Sequence, residues 1–352
     1  MHPFQENLQT WFSRKLPSQV HNECFEIPFI LSSDLGLVRK ENQDRVAALY
    51  TGRKSINPLF AIAVADGMGG MRDGGICSTL ALSSFFYALV QYRNLNINDR
   101  AAEAIKAANS QVYDIYKGSG GSTLTAILVD AQERKIFAHL GDTRIYTFGF
   151  HRKVERHTTD DSLAEAVGGS GRELLQFVGM GESMQPRIAE LSHLENFCAI
   201  TTDGIHGIEE NTLNKILENS ADIKQASERL SAVAKWCGGN DNSTSAICNL
   251  NEIPAALARY QSSGIRLWDA GGDLTTLWLR EEDQAFNVKQ GRPPGNLERE
   301  KSSPPPPSSP FNASTKGENS TPLPPRKRSK NKKAETNPEE VQLDIKIGNP
   351  EE

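Results

Sequence analysis

Two strand-like apolar runs in this chain stop abruptly on Asp-Gly. Leu59 to Ala65 leads into Asp66-Gly67, and Phe197 to Thr202 leads into Asp203-Gly204. Two further aspartates occupy related places: Asp44 opens the run Arg45 to Tyr50, and Asp241 precedes the short run Ser245 to Cys248. A carboxylate at the end of a buried strand is expensive unless a counter-charge meets it, because desolvating the ion costs several kcal/mol. No Lys or Arg stands directly beside Asp66, Asp203 or Asp241 in the sequence. A fold that brings these strand ends together therefore calls for a bound cation, and an all-oxygen ligand set suits Mg²⁺ or Mn²⁺ rather than zinc. Asp-Gly is also an ordinary turn signal, so any one of these positions alone reads as a turn.

The order of the short motifs carries more. Arg39 to Asp44 reads Arg-Lys-Glu-Asn-Gln-Asp. Then come Asp66-Gly67-Met68-Gly69-Gly70, Gly121-Ser122-Thr123, Gly141-Asp142-Thr143-Arg144, Thr202-Asp203-Gly204 and Asp241-Asn242-Ser243-Thr244. Over roughly residues 30 to 250 this ordered set resembles the metal-dependent protein serine/threonine phosphatases of type 2C, particularly their bacterial branch. The resemblance implies an α+β fold, a four-layer αββα sandwich of two antiparallel sheets flanked by helix pairs, with the metal site at one end. It implies hydrolysis of phosphoserine or phosphothreonine by a water activated between two Mn²⁺ or Mg²⁺ ions. Asp66 is then the carboxylate bridging both ions, and Gly67 donates its backbone carbonyl. Asp203 and Asp241 complete one shell, Asp44 holds the site from the first sheet, and Arg39 clamps the substrate phosphate with its planar fork.

The sequence departs from the family in places. Gln43 stands where many members carry Glu, and Met68 where eukaryotic relatives place a histidine. Lys117 to Gly120 lacks the aspartate of a third metal, so two ions are expected. Asp142 reads as making a structural ion pair or backbone bonds rather than binding metal, and His206 as a turn histidine. Thr158 to Leu163 with Gly168 to Gly171 resembles the flap over the cleft, where substrate choice resides. Two other readings stand beside an active phosphatase. One is a catalytically silent type 2C-like module that recognises a kinase or phosphoprotein, although four aspartates and Arg39 argue against silence. The other is a phosphatase of small molecules.

At 352 residues the chain has room for one domain and extensions. A leader is expected over 1–24 with a short helix near Leu8 to Phe12, the catalytic domain over 25–252, and an appendage of uncertain placement over 253–290. Helices are expected from Gly74 to Arg93, from an N-cap at Asp99 to Tyr116, and over Glu210 to Glu218 and Asp222 to Trp236. Twelve of the 18 prolines fall in 291–352, which reads as a disordered tail. Six of the eight residues from Arg326 to Lys333 are basic, a local cluster that would attract an acidic partner. A formal charge of −5 makes nucleic acid an unexpected partner of the whole chain. No apolar run reaches the roughly 20 residues that span a bilayer. Five widely spaced cysteines read as reduced thiols. Together these favour a cytoplasmic protein acting on phosphorylated proteins, among them a cognate Ser/Thr kinase or its targets.

Overall fold

The structure, a computed structural model, describes residues 2–52, 55–149, 151–169, 173–191, 197–260 and 264–277. The tail expected over 291–352 lies outside the described residues, as does the end of the expected appendage. The chain opens with helix α1 (Pro3–Phe12) and strands β1 (Gln19–Cys24), β2 (Phe29–Asp34), β3 (Asp44–Tyr50) and β4 (Leu59–Asp66). Two long helices follow, α2 (Gly74–Gln91) and α3 (Ile97–Tyr116), and then β5 (Leu124–Asp130), β6 (Lys135–Leu140) and β7 (Arg144–Phe148). Next come β8 (Glu155–Arg156), α4 (Leu163–Val167), β9 (Arg187–Glu190) and β10 (Phe197–Thr201). The turn-helix α5 (Asp203–His206) leads to α6 (Glu210–Glu218) and α7 (Ile223–Trp236). The described chain ends with β11 (Ser243–Asn249), α8 (Ile253–Arg259), β12 (Gly264–Asp269) and β13 (Gly272–Leu277).

The strands form two wholly antiparallel sheets. One has the order β1-β2-β11-β10-β7-β8, the other β13-β12-β3-β4-β5-β6-β9. Strand β4 explains the layering. Its side chains alternate faces with period two, and both faces are apolar. Phe60, Ile62 and Val64 point into a core shared with Phe29, Leu31, Cys198 and Ile200 of the other sheet. Leu59, Ala61, Ala63 and Ala65 pack on Phe85, Phe86 and Leu89 of α2 and on Ala104, Ile105 and Ala108 of α3. On the outer face of the other sheet, Ile30, Tyr146, Ala199 and Ile247 pack against Leu213, Leu217 and Leu230 of α6 and α7. The result is the four-layer αββα sandwich that the motifs imply.

Helix α2 is buried on nearly every face, as its all-round apolar pattern requires. It is also the one described helix apolar and long enough to cross a bilayer, yet 83% of that window is buried inside the fold. Helix α3 starts three residues earlier than an Asp99 cap would place it. The Asn96 side chain accepts the Asp99 N–H and is the true N-cap, leaving Asp99 in the first turn.

Residues 1–24 are not a loosely attached leader. Leu8 and Phe12 are buried in the α2 layer, and the Phe12 carbonyl accepts from Arg45 Nε at 2.8 Å. Arg14 pairs with Asp269 at 2.5 Å, and β1 zips onto β2 from Gln19↔Asp34 to Cys24↔Phe29. The described part of the segment after 253, residues 253–260 and 264–277, is likewise integral: β12 pairs with β3 and extends that sheet by a hairpin, with Trp268 in the inter-sheet core. Burial of Leu8 gives a test of the first correction. Leu8→Ala is expected to lower unfolding stability by about 2–5 kcal/mol, the usual cost of truncating a buried leucine. Urea denaturation reads this directly, and a loss below about 0.5 kcal/mol would mean that α1 is detachable after all.

Candidate metal centre

The register of β3 and β4 builds the centre. Asp44, first residue of β3, lies directly opposite Asp66, last residue of β4. Both carboxylates therefore sit at the same end of the sandwich. Thr123 fixes Asp66 from the next strand: its N–H donates to the Asp66 carbonyl at 2.8 Å, and its hydroxyl accepts the Asp66 N–H at 2.9 Å. Gly67 donates its N–H to the Gln43 carbonyl and runs against Gly74 at the start of α2, where a Cβ would strike the Gly74 carbonyl.

The other sheet delivers the remaining aspartates. Asp203 begins α5 two residues after β10 ends, and Asp241 stands two residues before β11. A Cβ on Gly204 would collide with the Asn242 carbonyl, so the backbones of the two aspartate turns touch. Thr202 stitches this end to the first sheet. Its hydroxyl donates to Asp44 Oδ2 at 3.0 Å while accepting the Thr244 N–H at 3.0 Å. Asn242, 3% exposed, ties the Asp241 loop to the loop carrying Arg39. Its Oδ1 accepts from Gln43 N at 2.8 Å, and its Nδ2 donates to the carbonyls of Leu35 at 2.9 Å and Glu41 at 3.1 Å.

The electrostatics record the crowding. Burial pushes Asp44 up to about 7; Thr244 and Thr202 oppose this by hydrogen bonding, and the charges of Asp203 and Asp241 add to it. Asp66 is raised well above the usual carboxylate range by burial and then by Asp44, Asp203, Asp142 and Asp241, although its surface is only half-covered. The four predicted ligands thus lie within one another's field. In space two arginines come near them, Arg45, which also follows Asp44 in the sequence, and Arg39. Arg39 Nη2 donates to Asp241 Oδ2 at 2.6 Å, and its guanidinium is held above its ordinary value by that bond and by the charges of Asp241, Asp203 and Asp66. A Cβ on Gly69 would come within 2.7 Å of Arg39 Nη1, so the guanidinium spans from the Asp241 loop to the Gly67–Gly70 turn.

Among the described residues no three carboxylate, imidazole or thiolate groups close around one point as they stand. Asp241 is instead turned onto Arg39. The donor set nevertheless fits hard divalent cations: four crowded carboxylates, all oxygen, with Asp44 and Asp66 raised by burial and by the neighbouring negative charges.

Asp142 departs from the expected ion pair. Arg144 directs its fork to Asp160 instead, at 2.6 to 3.1 Å, and Arg156 joins the same carboxylate at 2.6 Å. Asp142 faces Asp203, and burial with that charge pushes it up to about 7. It lines a cleft of about 470 Å³ together with Arg39, Asp203 and Asp241. His206 also lines this cleft but is 9% exposed; burial keeps it neutral, and its Nδ1 lies 3.1 Å from the Thr201 carbonyl, to which it donates. The flap stem is pinned by Asp160 to the two arginines and by Asp161, which accepts the Gly141 N–H at 2.9 Å. Ser170 and Gly171 of the expected flap lie outside the described residues. Sequence reasoning assigned no role to Thr123, Thr202, Asn242 or Thr244. Their only signal was adjacency to the aspartate motifs.

Known proteins share this arrangement of layers. Residues 39–245 match the family described as Protein phosphatase 2C. The chain is 27% identical over 250 residues to the protein phosphatase PhpP of Streptococcus pneumoniae, covering 64% of this chain and 98% of that one. Among solved structures, the PPM Ser-Thr phosphatase MsPP of Mycobacterium smegmatis, in complex with cacodylate, superposes with a TM-score of 0.53 at 24% identity. That alignment covers 65% of this chain and 99% of the other. The catalytic domain of the serine/threonine protein phosphatase PstP, in complex with two manganese ions, gives 0.51 at 24% identity over 66% and 98%. These structural likenesses show a common fold. The family match spans more than half of the 352 residues, so the chain belongs to the protein phosphatase 2C family and is a protein phosphatase.

Proposed function

We propose that this chain hydrolyses phosphoserine and phosphothreonine in proteins, using two divalent cations, Mn²⁺ or Mg²⁺. Asp44, Asp66, Asp203 and Asp241, with the Gly67 carbonyl, are the residues that would hold them. The observation that carries this reading is the in-register pair Asp44↔Asp66, facing Asp203 and Asp241 from the opposite sheet with too little positive charge nearby. The two manganese ions of the PstP catalytic domain, on the same fold, support it. When bound, such cations supply the charge that neutralises phosphoryl oxygens and activates water for in-line attack.

The chain's own residues do the rest. Thr123 holds the Asp66 backbone and Thr202 the Asp44 carboxylate from behind, so these two groups have little to reorganise as charge develops. Arg39 has two partners in turn. In the structure it neutralises Asp241. Were Asp241 to help hold a cation, the guanidinium would be free to present two N–H donors to phosphate oxygens. Asn242 ties the Arg39 loop to the Asp241 loop. Intact aspartates and Arg39 speak against the silent binding module.

Three outcomes follow. Hydrolysis of p-nitrophenyl phosphate and phosphothreonine peptides is expected to require added Mn²⁺ or Mg²⁺. Asp66→Asn and Asp203→Asn should each cut turnover by about a hundredfold or more, about 1.4 kcal/mol of barrier per tenfold. Full activity after exhaustive chelation would sink the two-cation reading. Arg39→Ala should raise KM for a phosphopeptide about tenfold with a smaller loss of kcat, because the arginine contributes to phosphate binding; an unchanged KM would confine it to its pairing with Asp241. Asn242→Ala leaves three part-buried backbone groups without their partner. It should cost about 1–3 kcal/mol of stability and shift the Mn²⁺ activation curve to higher concentration. A curve superposable on wild type would show that the two loops hold their relation without it.

A further inference from the structure

A second cavity, of about 540 Å³, has Asp44 in its wall and shares no lining residue with the cleft of Asp203 and Asp241. That volume suits a small organic molecule, for which pockets run from about 300 to 1,000 Å³. Residues 12–18, which join α1 to β1, form one side, and residues 269–270 at the β12–β13 turn form another. Both lie outside the span 39–245 that matches the family. Leu16 is seated on that turn, since a Cβ on Gly271 would strike its Cδ2. Four cations line the cavity, Arg14, Lys15, Lys40 and Arg45, against the carboxylates of Glu41, Asp44 and Asp269. The carboxylates are engaged elsewhere. Arg14 pairs with Asp269, Thr202 donates to Asp44 from the other sheet, and Glu41 Oε1 lies against Gly75 at the start of α2. The cations are not all answered. Lys15 and Lys40 are exposed and have no ion-pair partner among the described residues. Arg45 is clamped through Nε to the Phe12 carbonyl and the Thr79 hydroxyl, and through Nη1 to the carbonyls of Asn42 and Asp44. Its Nη2 has no partner among the described residues and is not sealed from solvent. The open space that Arg45 lines is this cavity, where Phe12, Leu16, Pro17, Leu35, Val46 and Ala270 supply apolar surface.

We propose that this cavity binds a small amphipathic organic anion, an acidic head group on a compact apolar body, and that its occupancy strengthens cation binding at the aspartates. The site stands on its own residues and goes beyond the phosphatase reading. The head group meets the free edge of Arg45 with Lys15 and Lys40 around it, and a guanidinium already held by four hydrogen bonds has little freedom left to lose. The body lies against the apolar wall, which a bare inorganic anion would leave wet. The coupling follows from the position of Arg45. Its Nη1 donates to the Asp44 carbonyl at 2.7 Å, so an anion on the same guanidinium lies within a Debye length of Asp44, about 8 Å at physiological salt. Negative charge added there makes the aspartate cluster more attractive to a divalent cation. By linkage, a cation bound at the aspartates strengthens anion binding by the same factor.

The test titrates the full chain with anilinonaphthalene sulfonate, a fluorescent amphipathic anion, first without divalent cation and then with saturating Mn²⁺. Wild type is compared with the double variant Lys15→Ala/Lys40→Ala and with Lys215→Ala/Lys224→Ala, which removes two exposed lysines from α6 and α7. Wild type is expected to take up one equivalent with a saturable rise in fluorescence. Losing Lys15 and Lys40 should weaken that binding about tenfold, while losing Lys215 and Lys224 leaves it unchanged. Both cavity lysines are exposed and unpaired, so the variant keeps its fold, and an unaltered circular dichroism spectrum checks this. Mn²⁺ should tighten the wild-type titration about fivefold, the lower end of ordinary coupling between sites. Absence of saturable binding would overturn the proposal, as would equal affinity in wild type and the Lys15/Lys40 variant, because the probe then sits elsewhere. A titration that Mn²⁺ leaves unmoved or weakens would overturn the coupling. The first titration needs neither cation nor phosphorylated substrate, so its failure is separate from any failure of the phosphatase reading.

Discussion

Setting Asp44 against Asp66 across one antiparallel rung is the constraint around which this end of the molecule is organised. Two carboxylates at the ends of neighbouring buried strands repel each other and lose hydration together, and a fold pays for that only where something else gains. The compensation is visible in the surroundings. Thr202 reaches across from the other sheet to donate to Asp44, Thr123 grips the Asp66 backbone twice, and Arg39 crosses over to Asp241. Rather than removing the surplus of negative charge, these contacts fix where it is. A site whose charge is fixed in advance has little to reorganise when a polyvalent cation or a phosphoryl group arrives.

The same rung accounts for the layers behind it. To hold two strand ends still, β3 and β4 must be central, and central strands need both faces covered. The even positions of β4 meet the other sheet, and the odd positions, mostly alanine after Leu59, let α2 and α3 lie close. The small side chains suit the helix side, where Phe85, Phe86 and Leu89 supply the bulk. On the far sheet, Ile30, Ala199 and Ile247 bring α6 and α7 to the outer face, and the end of α7 in turn delivers the Gly238–Asp241 loop.

How much of this could be read beforehand depended on where each residue gets its stabilisation. Strands β2 to β7 and helices α2, α3, α6 and α7 bury continuous apolar faces, so periodicity alone located them within a few residues. The four aspartates were legible because each interrupts such a run. Strand β1 was not: Gln19 to Cys24 is polar along most of its length and is stabilised by backbone pairing with β2 at the sheet edge. The β12–β13 hairpin reads as apolar, but nothing in its own residues says that its partner is β3, more than 200 positions earlier. Pairings among charged groups were equally hidden. Arg144 lies two residues from Asp142 yet pairs with Asp160, because β7 and the flap stem meet only in the folded sheet. Arg39 meets Asp241 for the same reason.

Arg39 also shows why a cation and an arginine can serve one cluster without redundancy. A guanidinium is a planar donor of fixed geometry, good for one carboxylate or one phosphate at a time, whereas a divalent ion gathers several oxygens in three dimensions. The guanidinium of Arg39 faces Asp241, Asp203 and Asp66. The arginine satisfies only the most accessible of them, Asp241, while the buried pair on β3 and β4 keeps its raised proton affinity. The charge deficit therefore sits deepest where the arginine cannot reach, at the register pair itself. That location favours a small cation over any side chain, and it leaves Arg39 at the cleft mouth, on the loop shared with Leu37 and Val38, in position to meet what enters from solvent.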